Sequence, residues 1–352
     1  MENTVKITIG RKIVGGGGPC FIIAEAGVNH NGSLNLAKEL VDAAKNAGAD
    51  AIKFQTFKTE DLVTEGAATA SYQKKNTGKE ESQFKMLKKL ELSEKDFIKL
   101  KKYCDRKNIL FLSTPHTENA VDFLEQLRVP AYKVASGDLT NLPLLEKISK
   151  KKKPIILSTG MATLDEVREA VTTIKRAENN KIILLHCTTN YPCLSREVNL
   201  RAILTLKEKF NLSVGYSDHT EGVLVPIMAV AMGALVIEKH FTLDKNLSGP
   251  DHKASLGPKE LKVMVKMIRT TEQILGSGIK IPTKNEEEIK KITRKSIVAK
   301  TDIKKGQKIT KNMLIIKRPG TGIEPKYLNR VIGRVVKRIK KKDDLIKFKD
   351  LK

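Results

Sequence analysis

The sequence predicts an α/β fold: a closed (β/α)8 TIM barrel followed by a small β-rich domain. Three observations predict it. Short apolar runs alternate with amphipathic segments of helical period eight times over about 260 residues, the repeat and length of such a barrel. The runs are continuously apolar, as parallel strands covered by helices require. Polar residues cluster at the C-terminal ends of the runs, where barrels of this kind carry their chemistry.

Residues 5–14 alternate apolar and polar side chains and predict a hairpin beside the barrel. The glycines at 15–18 precede the first strand, so they predict a flexible turn. No GxGxxG follows that strand, which argues against an open dinucleotide-binding sheet. The strands are expected at 21–24, 51–54, 109–112, 131–134, 154–157, 182–185, 212–215 and 235–237. Their helices are expected at 33–47, 93–106, from 118, 142–150, after a Thr163 cap, from 198, 223–232 and 258–275. A long excursion, 58–92, interrupts the second unit. The barrel domain is thus 1–280. A polar stretch, 281–294, reads as a linker, and 295–352 has short alternating runs broken by Gly and Pro.

Composition narrows the function classes. The chain has 352 residues and no apolar run of the roughly 18–20 residues that span a bilayer. Its start lacks a secretory signal, so a cytoplasmic protein without a membrane partner is expected. Cys20, Cys104, Cys187 and Cys193 form no CxxC pair and read as reduced thiols. The formal charge of +25 comes mostly from scattered lysines. Aromatic residues are few and do not interleave with the basic runs, so no nucleic-acid partner is expected.

The strand ends carry Glu25, Lys53 with Gln55, Ser113 with Thr114, Lys133 with Ser136, Ser158 with Thr159, His186 with Thr188, Ser217 with Asp218 and His219, and Glu238 with Lys239 and His240. Any one of these reads equally as a strand cap, but a purely structural barrel does not need all eight ends polar. Lysine ammonium groups among hydroxyls suit a phosphate or carboxylate. His219 and His240, on neighbouring strands, suit one Mn2+, Zn2+ or Fe2+ ion, or else simple hydrogen bonding. Glu25 suits a base or a water-positioning group. His30 lies near in AEAGVNHNG, but its spacing says little about ligation.

AEAGVNHNG, IKFQTF, LSTPH, YKVASGD, ILSTGMATLDEV, VGYSDHT and EKHFTLDKNLSGPDHKASL, in that order, resemble the N-acetylneuraminate (sialic acid) synthase family, legionaminate synthases included. RKSIVAKTDIKKGQKIT and KRPGTGI resemble its C-terminal SAF, or antifreeze-like, β-clip domain. The resemblance implies a transferase that joins phosphoenolpyruvate to an open-chain acetamido sugar and releases phosphate by C–O cleavage. It implies that Lys53, Thr114, Lys133, Ser136, Ser158 and Ser217 hold phosphoenolpyruvate. It implies that His219 and His240 bind a divalent metal, Mn2+ or Mg2+, and are catalytic together with Glu25. Gln55, Tyr72, Asp138, Tyr191 and Asp251 would contact the sugar. Arg318 would reach the barrel of a second subunit, in a homodimer with exchanged C-terminal domains.

Three places depart from the family pattern. His116 stands where many relatives have the Phe of STPF. ASGD replaces PSGE or GSGE and shortens a carboxylate by one methylene. TTNYP does not align uniquely with relatives that have an asparagine earlier in this loop. N-acetylneuraminate synthase, acting on N-acetylmannosamine, is the first expectation. An N,N'-diacetyllegionaminate synthase is the alternative, with the loop around Tyr72, Gln73 and Asn76 shaping the choice. Pseudaminate and heptulosonate phosphate synthases fit the motifs less well, and a non-catalytic carbohydrate-binding protein fits the full rim least.

Overall fold

The computed structural model describes residues 5–70, 73–74 and 81–352. The chain divides into two compact units, Met1–Ser277 and Gly278–Lys352. No helix among the described residues is long and apolar enough to cross a membrane.

The first unit opens with a hairpin, β1 (Ile7–Ile9) and β2 (Lys12–Val14), and continues with eight parallel strands. These are β3 (Phe21–Gly27), β4 (Ala51–Thr56), β5 (Leu110–Pro115), β6 (Tyr132–Val134), β7 (Ile155–Ser158), β8 (Ile182–Cys187), β9 (Ser213–Asp218) and β10 (Val236–His240). The sheet order is β5-β4-β3-β10-β9-β8-β7-β6, and its end strands β5 and β6 lie side by side, so the sheet is a nearly closed barrel. The expected strands are all present, several of them longer. β3 runs on to Gly27 and carries a register shift between Glu25 and Gly27, so Glu25 lies inside a strand rather than past its end.

Successive residues of a strand point to opposite faces, and this alternation sorts the barrel into layers. Outward residues such as Ile22, Ile52, Leu157, Leu184 and Tyr216 pack under the helices. Inward residues nearest the strand starts, Phe21, Ala51, Leu112, Ile156, Ile183 and Val236, form a separate apolar plug. Ile7, Ile9 and Val14 of the hairpin join that plug. The hairpin therefore seals the floor of the barrel instead of lying beside it, because half of its side chains are apolar and need cover. Arg11 donates to the Asn108 carbonyl, and Lys12 pairs with Asp50 at 2.7 Å, which fixes its seat.

The helices begin where capping side chains accept from backbone N–H groups that lack a partner within the helix. Ser33, Ser93, Thr117 and Thr163 cap Leu34–Ala47, Glu94–Lys107, Glu118–Gln126 and Leu164–Arg176, the last through a reciprocal capping box with Glu166. The sixth unit differs from expectation. A 3-10 turn, Ser195–Glu197, comes first and the helix, Ala202–Phe210, starts later. The excursion after β4 contains helices Thr59–Leu62 and Gln83–Lys88 over a small core of Val28, Phe57, Met86 and Leu90.

The second unit begins with a helix, Lys284–Thr293, within the stretch read as a linker; a Thr283–Glu286 capping box starts it. β11 (Ser296–Ala299) and β12 (Leu314–Lys317) pair antiparallel, and isolated bridges such as Ile303 with Lys340 extend the β-rich pattern. Ile297, Ile303, Ile309, Val331, Val336 and Ile346 form its own core.

Candidate active site

Above the apolar plug, the inward positions turn polar in one step. Glu25, Lys53, Thr114, Lys133, Ser158, Ser217 and Glu238 all line one pocket, with His219 and His240 at its side. Lys53 Nζ lies 2.8 Å from Glu25 Oε2 and donates to Thr114 Oγ1 at 3.1 Å. Lys133 Nζ donates to Ser158 Oγ at 2.7 Å and to the Val134 carbonyl at 2.9 Å. Glu238 Oε1 stands between the two lysines, 3.8 Å from Lys53 and 3.7 Å from Lys133, and accepts from Ser217 Oγ at 3.1 Å.

These charges are buried, and burial favours the neutral form of every one of them. Burial raises the Glu25 pKa despite the Lys53 charge, and Glu238 adds to the rise. At Glu238 the same burial is outweighed by Lys133 and Lys53, and the pKa falls. Burial lowers the Lys133 pKa, whereas at Lys53 it is overcome by Glu238 and Glu25, and the pKa rises. Two lysines thus face Glu238, the carboxylate whose ionised form they favour, in one pocket. Such a set suits a small anion, with the Thr114, Ser136, Ser158 and Ser217 hydroxyls around it.

His219 Nδ1 donates to the Thr188 carbonyl at 2.8 Å; burial lowers the ring's pKa but Cys187 outweighs it and the pKa rises, so Nε2 offers a lone pair only once the ring gives up its second proton. The His219 and His240 ring centroids are 5.6 Å apart, and His240 Nδ1 is buried with no hydrogen-bond partner among the described residues. Burial, then the His219, Lys53, Lys239 and Lys133 charges, drives the His240 pKa well down, so this imidazole is neutral and ligand-ready. Among the described residues no three His, Cys, Asp or Glu side chains converge as a complete metal cage. Two imidazoles would therefore leave most positions on a divalent ion open to oxygen ligands from substrate or water. The Tyr191 ring lies 4.0 Å from that of His219, between centroids, and covers it.

The structure brings together most of the residues expected at the site. Gln55 donates to Glu25 Oε1 at 3.5 Å and lines the pocket. Ser136 lines it too, its Oγ accepting from the Gly160 backbone N–H at 3.0 Å. A Cβ at position 160 would collide with Ser136 Oγ and Thr189 Oγ1, so glycine is required there. Asp138 is not among the lining residues; its carboxylate meets His116, which is. Asp251 is buried, and burial pushes its pKa up to about 6 against the pull of His219 and Lys53. Tyr72 and Asn76 lie outside the described residues. Arg318 belongs to the second unit and is exposed.

Other rim residues turn away. Ser113 bonds Thr56 Oγ1 at 2.7 Å, Thr159 donates to the Leu185 carbonyl, and His186 Nε2 lies 2.7 Å from the Val198 carbonyl. Asp218 and Lys239 pair with each other on the outer face. His30 is buried, with its Nδ1 accepting from the Gly32 N–H. Cys187, Glu238 and Thr189 also line the pocket, and the sequence alone assigns none of them a role there. Thr189 Oγ1 is buried and has no partner among the described residues, while the neighbouring Asn190 reaches out to Glu197 at 3.4 Å. Thr189 is therefore the residue of the 188–190 loop that faces the pocket. Three consecutive polar residues gave no signal to single it out.

Comparison with known proteins decides the family. The NeuB family model matches residues 40–280, and the SAF domain model matches residues 294–352. The chain belongs to the NeuB family. This NeuB-family chain is 52% identical to the N,N'-diacetyllegionaminic acid synthase of Legionella pneumophila over 89% of each chain. It is 50% identical to the enzyme of the same name from Campylobacter jejuni, over 93% of this chain and 98% of that one. A crystal structure of the N-acetylneuraminic acid synthetase from Leptospira borgpetersenii, in complex with citrate, superposes with a TM-score of 0.72 at 39% identity. The match covers 81% of this NeuB-family chain and 95% of that one.

Proposed function

We propose that this chain condenses phosphoenolpyruvate with 2,4-diacetamido-2,4,6-trideoxymannose and water to give N,N'-diacetyllegionaminic acid and phosphate. The pocket supports the reaction class through one arrangement: two buried lysines bridged by Glu238, ringed by hydroxyls and flanked by the imidazoles of His219 and His240. The choice of sugar draws its support from two legionaminic acid synthases matched at half identity over nearly full length. This reverses the order of the sequence reading, in which N-acetylmannosamine stood first.

In this reading Lys53, Lys133, Thr114, Ser158, Ser217 and Ser136 bind the carboxylate and phosphate of phosphoenolpyruvate at the pocket floor. They orient its methylene carbon towards the aldehyde carbon of the sugar. His219 and His240 would hold Mn2+ or Mg2+, which when bound supplies Lewis-acid polarisation of the aldehyde. As the carbon–carbon bond forms, positive charge develops at the former enol carbon, where the ionised Glu238 stabilises it. Glu25, held by Lys53 and Gln55, accepts one proton of the water that adds there and returns it to the former aldehyde oxygen, which becomes a hydroxyl; the C–O bond to phosphate then breaks, the ketone forms, and the remaining water proton leaves with the phosphate. Arg318, exposed on the second unit, would contact the sugar in the barrel of a second copy, in a homodimer with exchanged small domains.

Phosphate release from phosphoenolpyruvate with Mn2+ tests the reading on both sugars. A kcat/KM advantage of about tenfold for the diacetamido sugar, worth ~1.4 kcal/mol of transition-state binding, is expected. An equal advantage for N-acetylmannosamine would make the chain an N-acetylneuraminate synthase instead.

A further inference from the structure

We infer that His116 accepts a hydrogen bond from the second acetamido group of the sugar, and that Asp138 holds the imidazole in the tautomer that can do so. This rests on the diacetamido reading of the acceptor. Two segments that meet over the pocket create the pair. His116 follows β5, its backbone N–H donating to the Thr56 carbonyl at 3.2 Å, and its ring meets the edge of Phe57 with centroids 6.3 Å apart. Asp138 ends the 3-10 turn Ser136–Asp138 that follows β6. From these seats His116 Nδ1 and Asp138 Oδ2 come within 2.9 Å, both side chains about five-sixths buried (16% and 15% exposed).

A carboxylate accepts and does not donate, so the hydrogen of a neutral His116 ring sits on Nδ1. Nε2 then carries a lone pair, and it is the remaining polar atom of a ring that lines the pocket. That lone pair complements an amide N–H. The place fits as well. In the order β5-β4-β3-β10, His116 stands three strands from β10, which ends in His240. His116, His219 and His240 line one pocket, so a sugar with its aldehyde at the two histidines has His116 within the same cavity for its later carbons.

The two sugars make different demands there. An amide N–H points one way and loses its water on binding, so it needs an acceptor in place. A hydroxyl rotates and can turn to another partner or to water. Asp138 acts through the ring and is a positioning residue, whereas His116 would touch the substrate.

The test measures kcat and KM with both sugars for the wild-type enzyme and for His116→Phe, Asp138→Ala and Asp138→Asn. In His116→Phe the preference for the diacetamido sugar over N-acetylmannosamine is expected to fall about tenfold or more, as for a site that loses a dedicated hydrogen bond. The fall should appear in the KM of the diacetamido sugar. Asp138→Ala should follow it, and Asp138→Asn should recover most of the loss, because its amide oxygen still accepts from Nδ1–H. Turnover of N-acetylmannosamine by each variant reports that the barrel has folded. An equal fall with both sugars, or an unchanged preference, would overturn the inference while leaving the diacetamido reading intact. A wild-type preference for N-acetylmannosamine would remove that reading, and the inference with it.

Discussion

Lys239 and Asp218 form an ion pair, Nζ to Oδ2 2.5 Å, with both side chains wholly shielded from solvent. Each is followed in the chain by one of the two site histidines, His240 and His219. Asp218 also accepts from the Thr220 N–H and hydroxyl, and Lys239 donates to the Thr220 carbonyl. The pair thus ties the ends of β9 and β10 together behind the pocket. Lys239→Met strands a buried carboxylate and is expected to cost about 3–5 kcal/mol in urea unfolding. The double variant Asp218→Asn, Lys239→Met should recover part of that loss. A single-variant cost below about 1 kcal/mol would show that the pair is not what holds these strand ends.

Chelation of divalent ions is expected to abolish phosphate release, and Mn2+ to restore it. His219→Ala should lose activity that Mn2+ cannot restore, while its unfolding midpoint stays near that of the wild type. Full turnover by metal-stripped wild-type enzyme would end the case for a metal between His219 and His240.

Arg318→Ala is expected to raise the KM for the sugar, leaving that for phosphoenolpyruvate near its original value. Equal sugar KM values for variant and wild type would show that Arg318 takes no part in sugar binding.

Acid should destabilise the fold through His30 and His252. Burial lowers both pKa values to about 4; the neighbouring His252 adds to the shift at His30, and Asp244 opposes it at His252. Unfolded imidazoles take up protons at about pH 6.5. Between these values the unfolded chain binds more protons, so stability is intact above about pH 6.5 and falls as pH drops through about 4. His252 Nε2 lies 3.1 Å from Asn31 Oδ1 and Nδ1 2.6 Å from Thr242 Oγ1, a neutral ring with both nitrogens engaged. His252→Asn should flatten the slope of unfolding free energy against pH in this window. An unaltered slope would mean that His252 is not buried as the neutral ring.

The barrel was legible in the sequence because its signal is local and repeated: apolar run, turn, amphipathic helix. The rim was legible as a set for the same reason. What each rim residue does depended on parity along the strand. Glu238, Lys239 and His240 are consecutive, yet only the first and third face inward, and Lys239 serves the outer layer. The alternation was there to be read once β10 was placed. The Thr283–Glu286 capping box could likewise have revealed the helix in the supposed linker. The meeting of His116 with Asp138 had no such signal. Twenty-two residues separate them, and only the neighbouring positions of β5 and β6 in the ring bring them into contact.

The hairpin across the barrel floor turns the catalytic chamber into a blind vessel. Ile7, Ile9 and Val14 stopper one mouth, so every molecule must enter and leave by the other. Glu25, Lys53 and His240 lie in register across β3, β4 and β10, at one depth below that mouth. Whatever binds among them and whatever leaves share that one opening.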